Sequence, residues 1–244
     1  MKSMNHRERL FAIINGLPYD RPPVSFFNHN HAKERSPEVL VPRHVYEQKK
    51  FGWDFIKIMF RPTYQTEAWG CKCSWDPSKP SDFPKQVTSI VHSPKDLNEL
   101  PVLPGDHGPF SEQISVVSAL REKVGSDVPI IPTLFLPLTV LNRLAGAVVN
   151  TEDVKPARTF MSKHPAAMKN ALDTITVTLV DYVKKLVNAG ADGVGKTEAL
   201  IEISLFCHGK FILYSCGPCL RWQKYKPIQA VAIIGFWQQQ IKKF

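Results

Sequence analysis

Residues 165–197 read PAAMKNALDTITVTLVDYVKKLVNAGADGVGKT, and two incompatible folds meet inside them. Met168, Leu172, Ile175, Leu179, Tyr182 and Leu186 recur at alternating spacings of four and three, which predicts one apolar stripe along a long amphipathic helix. Pro165 suits the first turn of that helix and Gly190 its C-terminal cap. Ala191 to Val194 is short and apolar enough to begin a buried parallel strand. Helix, tight turn and strand in this order are the grammar of an α/β protein.

Gly190 to Thr197 also matches G-x-x-x-x-G-K-[ST], the phosphate loop in which backbone amides and a lysine cradle a nucleotide phosphate. That motif requires a strand running into its first glycine, and here a helical stripe runs into Gly190. No later apolar strand ends in an aspartate that would hold magnesium. We therefore read the match as an accident of a helix–strand junction.

Working outward, the 244 residues suffice for one large domain or two small ones, and the apolar and charged fractions are those of an ordinary globular chain. The formal charge of +9 is unevenly split: residues 1–194 carry 24 basic and 20 acidic side chains, residues 195–244 carry 7 and 2. The N-terminus lacks a continuous apolar segment, and Ala230 to Trp237 is too short to span a bilayer. Five cysteines at irregular spacing are not a secreted disulfide framework. The expectation is a cytoplasmic protein with a small-molecule substrate and neither nucleic acid nor membrane as partner.

Asn5 with Glu8 makes a capping box for a first helix that Asn15-Gly16 ends. Asp20-Arg-Pro-Pro forces an extended entry, and Val24 to Phe27 reads as a first strand that stops at Asn28-His29-Asn30-His31. Residues 38–52 read as a helix, and Phe55 to Phe60 as a second strand ending at Arg61-Pro62-Thr63-Tyr64. Trp69 to Val91 reads as a hairpin or meander, Ser93 to Leu103 as a short helix and turn, and Glu112 to Val124 as an amphipathic helix. Val128 to Phe135 is a nearly continuous apolar strand, as burial on both faces of a parallel sheet requires.

Four segments carry a family resemblance: Asp20 to Phe27 (DRPPVSFF), Trp53 to Met59 (WDFIKIM), Leu136 to Gly146 (LPLTVLNRLAG) and Asn188 to Val194 (NAGADGV). In this order and spacing they resemble the uroporphyrinogen decarboxylase superfamily. The resemblance covers residues 1–194 and implies an α/β fold, a partial (β/α)8 TIM barrel holding roughly its first half, with the site at the C-terminal ends of the strands. Residues 195–244 are a divergent basic tail, for which we expect a misread gene junction in preference to a fused domain. An open half-barrel would leave unpaired strand edges, through which a homodimer or another association could form.

The resemblance implies decarboxylation of uroporphyrinogen side chains, but the family pattern is broken where that activity needs it. The decarboxylases carry two arginines after the first strand, and the matching positions here are Asn28 and Ala32. Their catalytic aspartate falls at Arg61-Pro62 and their tyrosine at Arg143. The aromatic-x-His of Phe27-Asn28-His29 fits the less characterised decarboxylase-like branch better. Related corrinoid methyltransferases, which activate a thiol with zinc held by a His-x-Cys and a later cysteine in the second half of the barrel, supply the alternative. An inactive remnant is a further alternative. No cofactor is expected outside the methyltransferase reading, where zinc or a corrinoid would enter.

The substrate-binding candidates are His29, Arg61, Tyr64 and Arg143, all at inferred strand ends, with Lys57 inside a strand. His29-x-His31 has the spacing by which barrel amidohydrolases place two metal ligands, but that chemistry asks for further ligands from later strands. A hydrogen-bonded loop or substrate contact is expected there, and no metal. Cys216-Gly-Pro-Cys219 resembles a thioredoxin motif with too little chain around it for that fold, and a zinc site joining Cys71-x-Cys73 to Cys207-His208 would need two unrelated regions to meet.

Overall fold

In the computed structural model, which describes residues 3–27, 29–31, 34–76, 83–147 and 155–197, the chain enters through the capping box read from sequence. Glu8 N donates to Asn5 Oδ1 at 2.7 Å and Asn5 N to Glu8 Oε2 at 3.0 Å, which starts helix α1 (His6–Ile14). Helix α2 (Pro37–Phe51) precedes strand β1 (Ile56–Ile58) and the short helix α3 (Tyr64–Ala68). Strands β2 (Cys73–Ser74) and β3 (Lys85–Gln86) pair antiparallel as the expected hairpin. Helices α4 (Pro94–Glu99) and α5 (Pro109–Val124) lead to strand β4 (Ile130–Phe135). Helices α6 (Pro137–Leu144), α7 (Lys155–Lys163) and α8 (Pro165–Asn188) then lead to strand β5 (Gly195–Thr197). No helix of the described residues is long and apolar enough to cross a membrane.

β1, β4 and β5 form a parallel sheet in that order, with Ile56 opposite Ile130 and Thr133 opposite Gly195. All six residues of β4 are buried, as an apolar strand covered on both faces must be. The predicted stripe of α8 packs onto α4, α5, α6 and α7 in the core they share with the sheet. Met168, Ile175, Leu179, Tyr182 and Leu186 are buried, and Leu172 packs beside them. The loop before α5 presses onto the same helix: a Cβ on Gly105 would overlap the Tyr182 amide nitrogen, so only glycine fits. Gly190, at φ 109, follows the last turn of α8 and turns the chain toward the sheet.

Two strands differ from their sequence expectation, for one physical reason. Val24 to Phe27 is extended beside β1 but forms no ladder. Pro22 and Pro23 offer no amide, and the Asp54 carboxylate accepts from Val24 N at 2.7 Å while Asp54 N donates to Val24 O at 2.7 Å. The third strand of the parallel sheet begins at Gly195, where the sequence pattern placed it at Ala191. Asp192 holds β4 from the side, its amide donating to Ile130 O at 2.9 Å and its carboxylate accepting from Ile130 N at 2.8 Å. In both places an aspartate side chain substitutes for a backbone rung. Because the Lys196 backbone pairs with Leu134 inside β5, the phosphate-loop reading is excluded: those amides serve a strand and form no anion nest. Helix α7 was not anticipated, since its apolar face is a single short turn, Ala157 buried and Phe160 packed beside it.

Candidate functional site

The strands run parallel, so the residues just beyond each strand gather at one end of the sheet: His29 after the extended segment, Arg61 after β1 and Arg143 on α6 after β4. Arg61 is fully engaged there. Its Nε donates to Glu67 Oε2 at 2.9 Å and its Nη1 to Glu112 Oε2 at 2.6 Å. Burial opposes its charge, but the bonds it donates to Glu112 and Glu67 outweigh that and hold the guanidinium more firmly protonated than usual. Tyr64 is 1% exposed, donates its hydroxyl to Thr133 O at 2.9 Å, and packs with Phe60, Phe110 and Tyr182, while burial pushes its phenol upward. It stands in the core between α8 and the sheet.

Arg143 is different. Its guanidinium lies 3.9 Å over the Phe135 ring and donates to Pro62 O at 3.0 Å, with no carboxylate partner among the described residues. Burial pushes its pKa down to about 10, against a smaller upward pull from Tyr64. The backbone carbonyl of Arg143 accepts from Gln86 Nε2 at 2.7 Å, which ties the β2–β3 hairpin to this corner. Lys57 is buried, its Nζ 3.7 Å from the Phe27 ring centroid and its chain passing beside Gly195.

His29 does not meet Arg61 or Arg143 through any contact of the described residues; it turns instead to Glu34. His29 Nδ1 stands 3.0 Å and His31 Nδ1 3.0 Å from Glu34 Oε2, and Asn30 N donates to Glu34 Oε1 at 2.7 Å. The two imidazoles are stacked at 4.7 Å, with Phe83 and Trp75 around His31. Burial raises the Glu34 carboxyl, but hydrogen bonds from His29 and His31 outweigh it and hold it below the usual range. Glu34 was missed in the sequence, although His29-x-His31-x-x-Glu34 is the spacing that would have revealed it. Asn28 and Ala32 lie outside the described residues, as do Cys207, His208, Cys216 and Cys219. Cys71 and Cys73 are free, and burial pushes both thiols up to about 11, so neither is a ready thiolate.

Residues 5–203 match the sequence profile of the family described as uroporphyrinogen decarboxylase (URO-D). The chain belongs to the URO-D family. The match begins at the capping box and runs past Val194 through β5. Within the URO-D family, the chain is 25% identical over 214 residues to the methylcobamide:CoM methyltransferase MtaA of Methanosarcina barkeri, covering 79% of this chain and 58% of that protein. It is 24% identical over 213 residues to the methylcobamide:CoM methyltransferase MtbA of Methanosarcina mazei, with the same coverages. A uroporphyrinogen decarboxylase of Chelativorans sp. is 32% identical over 105 residues, 42% of this chain and 30% of that protein. Among solved structures, a methyltransferase from Methanosarcina mazei shares the fold, with a TM-score of 0.65 at 24% identity over 79% of this chain and 58% of that one. This URO-D chain therefore spans about three-fifths of the length of the methyltransferases it matches.

Proposed function

We propose that this chain belongs to a methyl-transfer enzyme of the URO-D family, with a small substrate bearing one acidic group, and not to a porphyrinogen decarboxylase. The fold that goes with this reading is the first part of a (β/α)8 barrel, whose site opens at the ends of β1, β4 and β5. The observation that carries it is the charge inventory at that end. Arg61 is neutralised by Glu67 and Glu112, while Arg143 keeps a guanidinium without a carboxylate partner among the described residues. One such guanidinium, its Cζ 3.9 Å over the Phe135 ring, suits pairing with a single carboxylate, sulfonate or phosphate. A substrate with eight carboxylates would need several. The wider similarity to methyltransferases, 79% of the chain against 42% for the decarboxylase, supports the same choice.

The roles open to this chain's own residues are limited and concrete. Arg143 would orient the acidic group, Phe135 would fix the plane of its guanidinium, and Pro62 O would set its angle. The zinc that methyltransferase relatives imply does not fit the described residues: Cys71 and Cys73 are protonated thiols with no histidine converging on them, so no step is drawn through that metal. The test is to titrate the 244-residue protein calorimetrically with small thiols carrying one acidic group, and in parallel with uroporphyrinogen. Binding of the acidic thiol that Arg143→Met weakens is the expected result. Binding of uroporphyrinogen without binding of the acidic thiol, or thiol binding indifferent to Arg143→Met, would overturn the proposal.

A further inference from the structure

The geometry points to a divalent transition-metal site, of the zinc type, formed by His29 Nδ1, His31 Nδ1 and the Glu34 carboxylate, separate from the methyl-transfer reading and independent of it. Among the described residues this is the group of three whose ligand atoms converge, all within 4.8 Å of one another. Zinc binds imidazole nitrogen and carboxylate oxygen at about 2.0–2.2 Å, so two ligands sharing one ion stand about 3.0–3.5 Å apart. The two His–Glu separations are 3.0 Å each, so an ion needs only a small opening of the cluster. Two imidazoles and one glutamate are also a ligand set that leaves a fourth position for water. The sequence reading asked for ligands from later strands; Glu34 supplies the third from the same loop.

Two further observations favour an ion over a closed hydrogen-bonded clamp. His31 is 1% exposed, and its Nε2 has no hydrogen-bond partner among the Phe83 and Trp75 rings. While Nδ1 keeps its proton for Glu34, that Nε2 is a bare lone pair in an aromatic shell. When Nδ1 coordinates a metal, the proton moves to Nε2, and an N–H is the better neighbour for aromatic rings. The site also has an entrance, since His29 and Asn30 line a groove of about 580 Å³ against α2. Glu38 and Glu47 face that groove with one arginine, Arg43, whose Nε bonds Glu47 at 3.1 Å and whose Nη1 stands 3.8 Å from Glu34 Oε1, so Glu34 already faces a positive charge from this side.

The test uses the full chain, stripped with a chelator and titrated with Co2+ and then Zn2+, with no methyl donor or thiol present. One equivalent of Co2+ should bind with visible d–d absorption and be displaced by Zn2+, and His29→Gln and Glu34→Gln should each weaken uptake by more than about tenfold. Circular dichroism checks that each variant folds. Should Glu34→Gln fail to fold, a second measurement on the unmodified protein decides: bound Zn2+ should protect His29 and His31 from carbethoxylation, read by mass spectrometry. Absence of stoichiometric uptake, uptake indifferent to His29→Gln, or unprotected histidines would each overturn the inference and leave the methyl-transfer proposal standing.

Discussion

Where the strands begin, Asp54 accepts from His6, Arg9, Arg21 and the Val24 amide, and Asp192 from Arg7, Arg121 and the Ile130 amide. Where they finish, Arg143 has no carboxylate partner among the described residues, and His31 and Asn30 each keep a buried polar atom unbonded. Among the described residues, these polar groups are thus paired at the one end of the sheet and open at the other. An unsatisfied buried group costs stability, so a fold that keeps such groups together marks the end where an outside molecule can complete them. Arg61 alone, among the cations following β1 and β4, is saturated in the manner of the first end.

The sharpest way to break this comparison is Asp54→Ala. Arg9, 5% exposed, would lose its 2.6 Å partner and keep Asp20 as its one carboxylate, with the Met4 carbonyl beside it. The expected loss is about 3–5 kcal/mol in denaturant unfolding, because a buried cation is left under-compensated. Asp54 also carries an acid limit. Burial raises its carboxyl, but bonds from Arg21, Val24 N, His6 and Arg9 win and hold it at about 2. A depressed carboxylate contributes stability that is present above the unfolded value near 4 and is lost as pH falls through about 2.

His44 tests the other side. It is 3% exposed, neither ring nitrogen has a partner among the described residues, and burial, with Arg43 adding to it, pushes its pKa down to about 4. A base whose folded pKa is depressed leaves stability intact above about 6.5 and removes it as pH falls toward 4, by about 3 kcal/mol at most. His44→Leu should flatten that part of the pH–stability curve and leave stability at pH 8 unchanged or raised. A wild-type slope that survives the substitution would show that another group titrates there.

Asp192→Ala ranks next, at about 2 kcal/mol, since Arg121 still bonds Gly190 O at 2.8 Å when its carboxylate partner is gone. Faster hydrogen exchange at the Ile130 amide would report the lost anchor directly. Arg143→Met is the smallest in stability, less than about 1 kcal/mol, because the apolar side chain can still lie on Phe135 and no carboxylate is orphaned. Its effect should appear in binding of a small anionic thiol, weakened about tenfold for one lost charge-assisted pair. If Arg143→Met destabilises as much as Asp54→Ala, the contrast between the two ends fails.

How much of the molecule is legible in the sequence depends on the range of each interaction. The Asn5–Glu8 box and the stripe from Met168 to Leu186 are local, so spacing alone displays them. The strand at Gly195 was misplaced because Asp192 holds β4 with its side chain, and hydropathy cannot register a carboxylate acting as a rung. Arg61 looked available because Glu112, which neutralises it, is 51 positions away. Glu34 reads in isolation as a solvated loop acid; only the folded turn reveals that it is 0% exposed and faced by two imidazoles.

The contacts of α1 also set an order in time. Its Arg9 needs Asp54, 45 positions later, whereas its Arg7 needs Asp192 and Ser126 O, the former 185 positions later. At about 5–20 residues per second of synthesis, the first partner is made within roughly 2–9 s and the last within roughly 10–40 s. During that interval the first helix is tethered on one flank only, and its Arg7 flank is open to whatever else binds a cationic, half-apolar helix in a nascent chain. The partners of the first helix are thus spread over most of the described sequence, from Asp20 to Asp192.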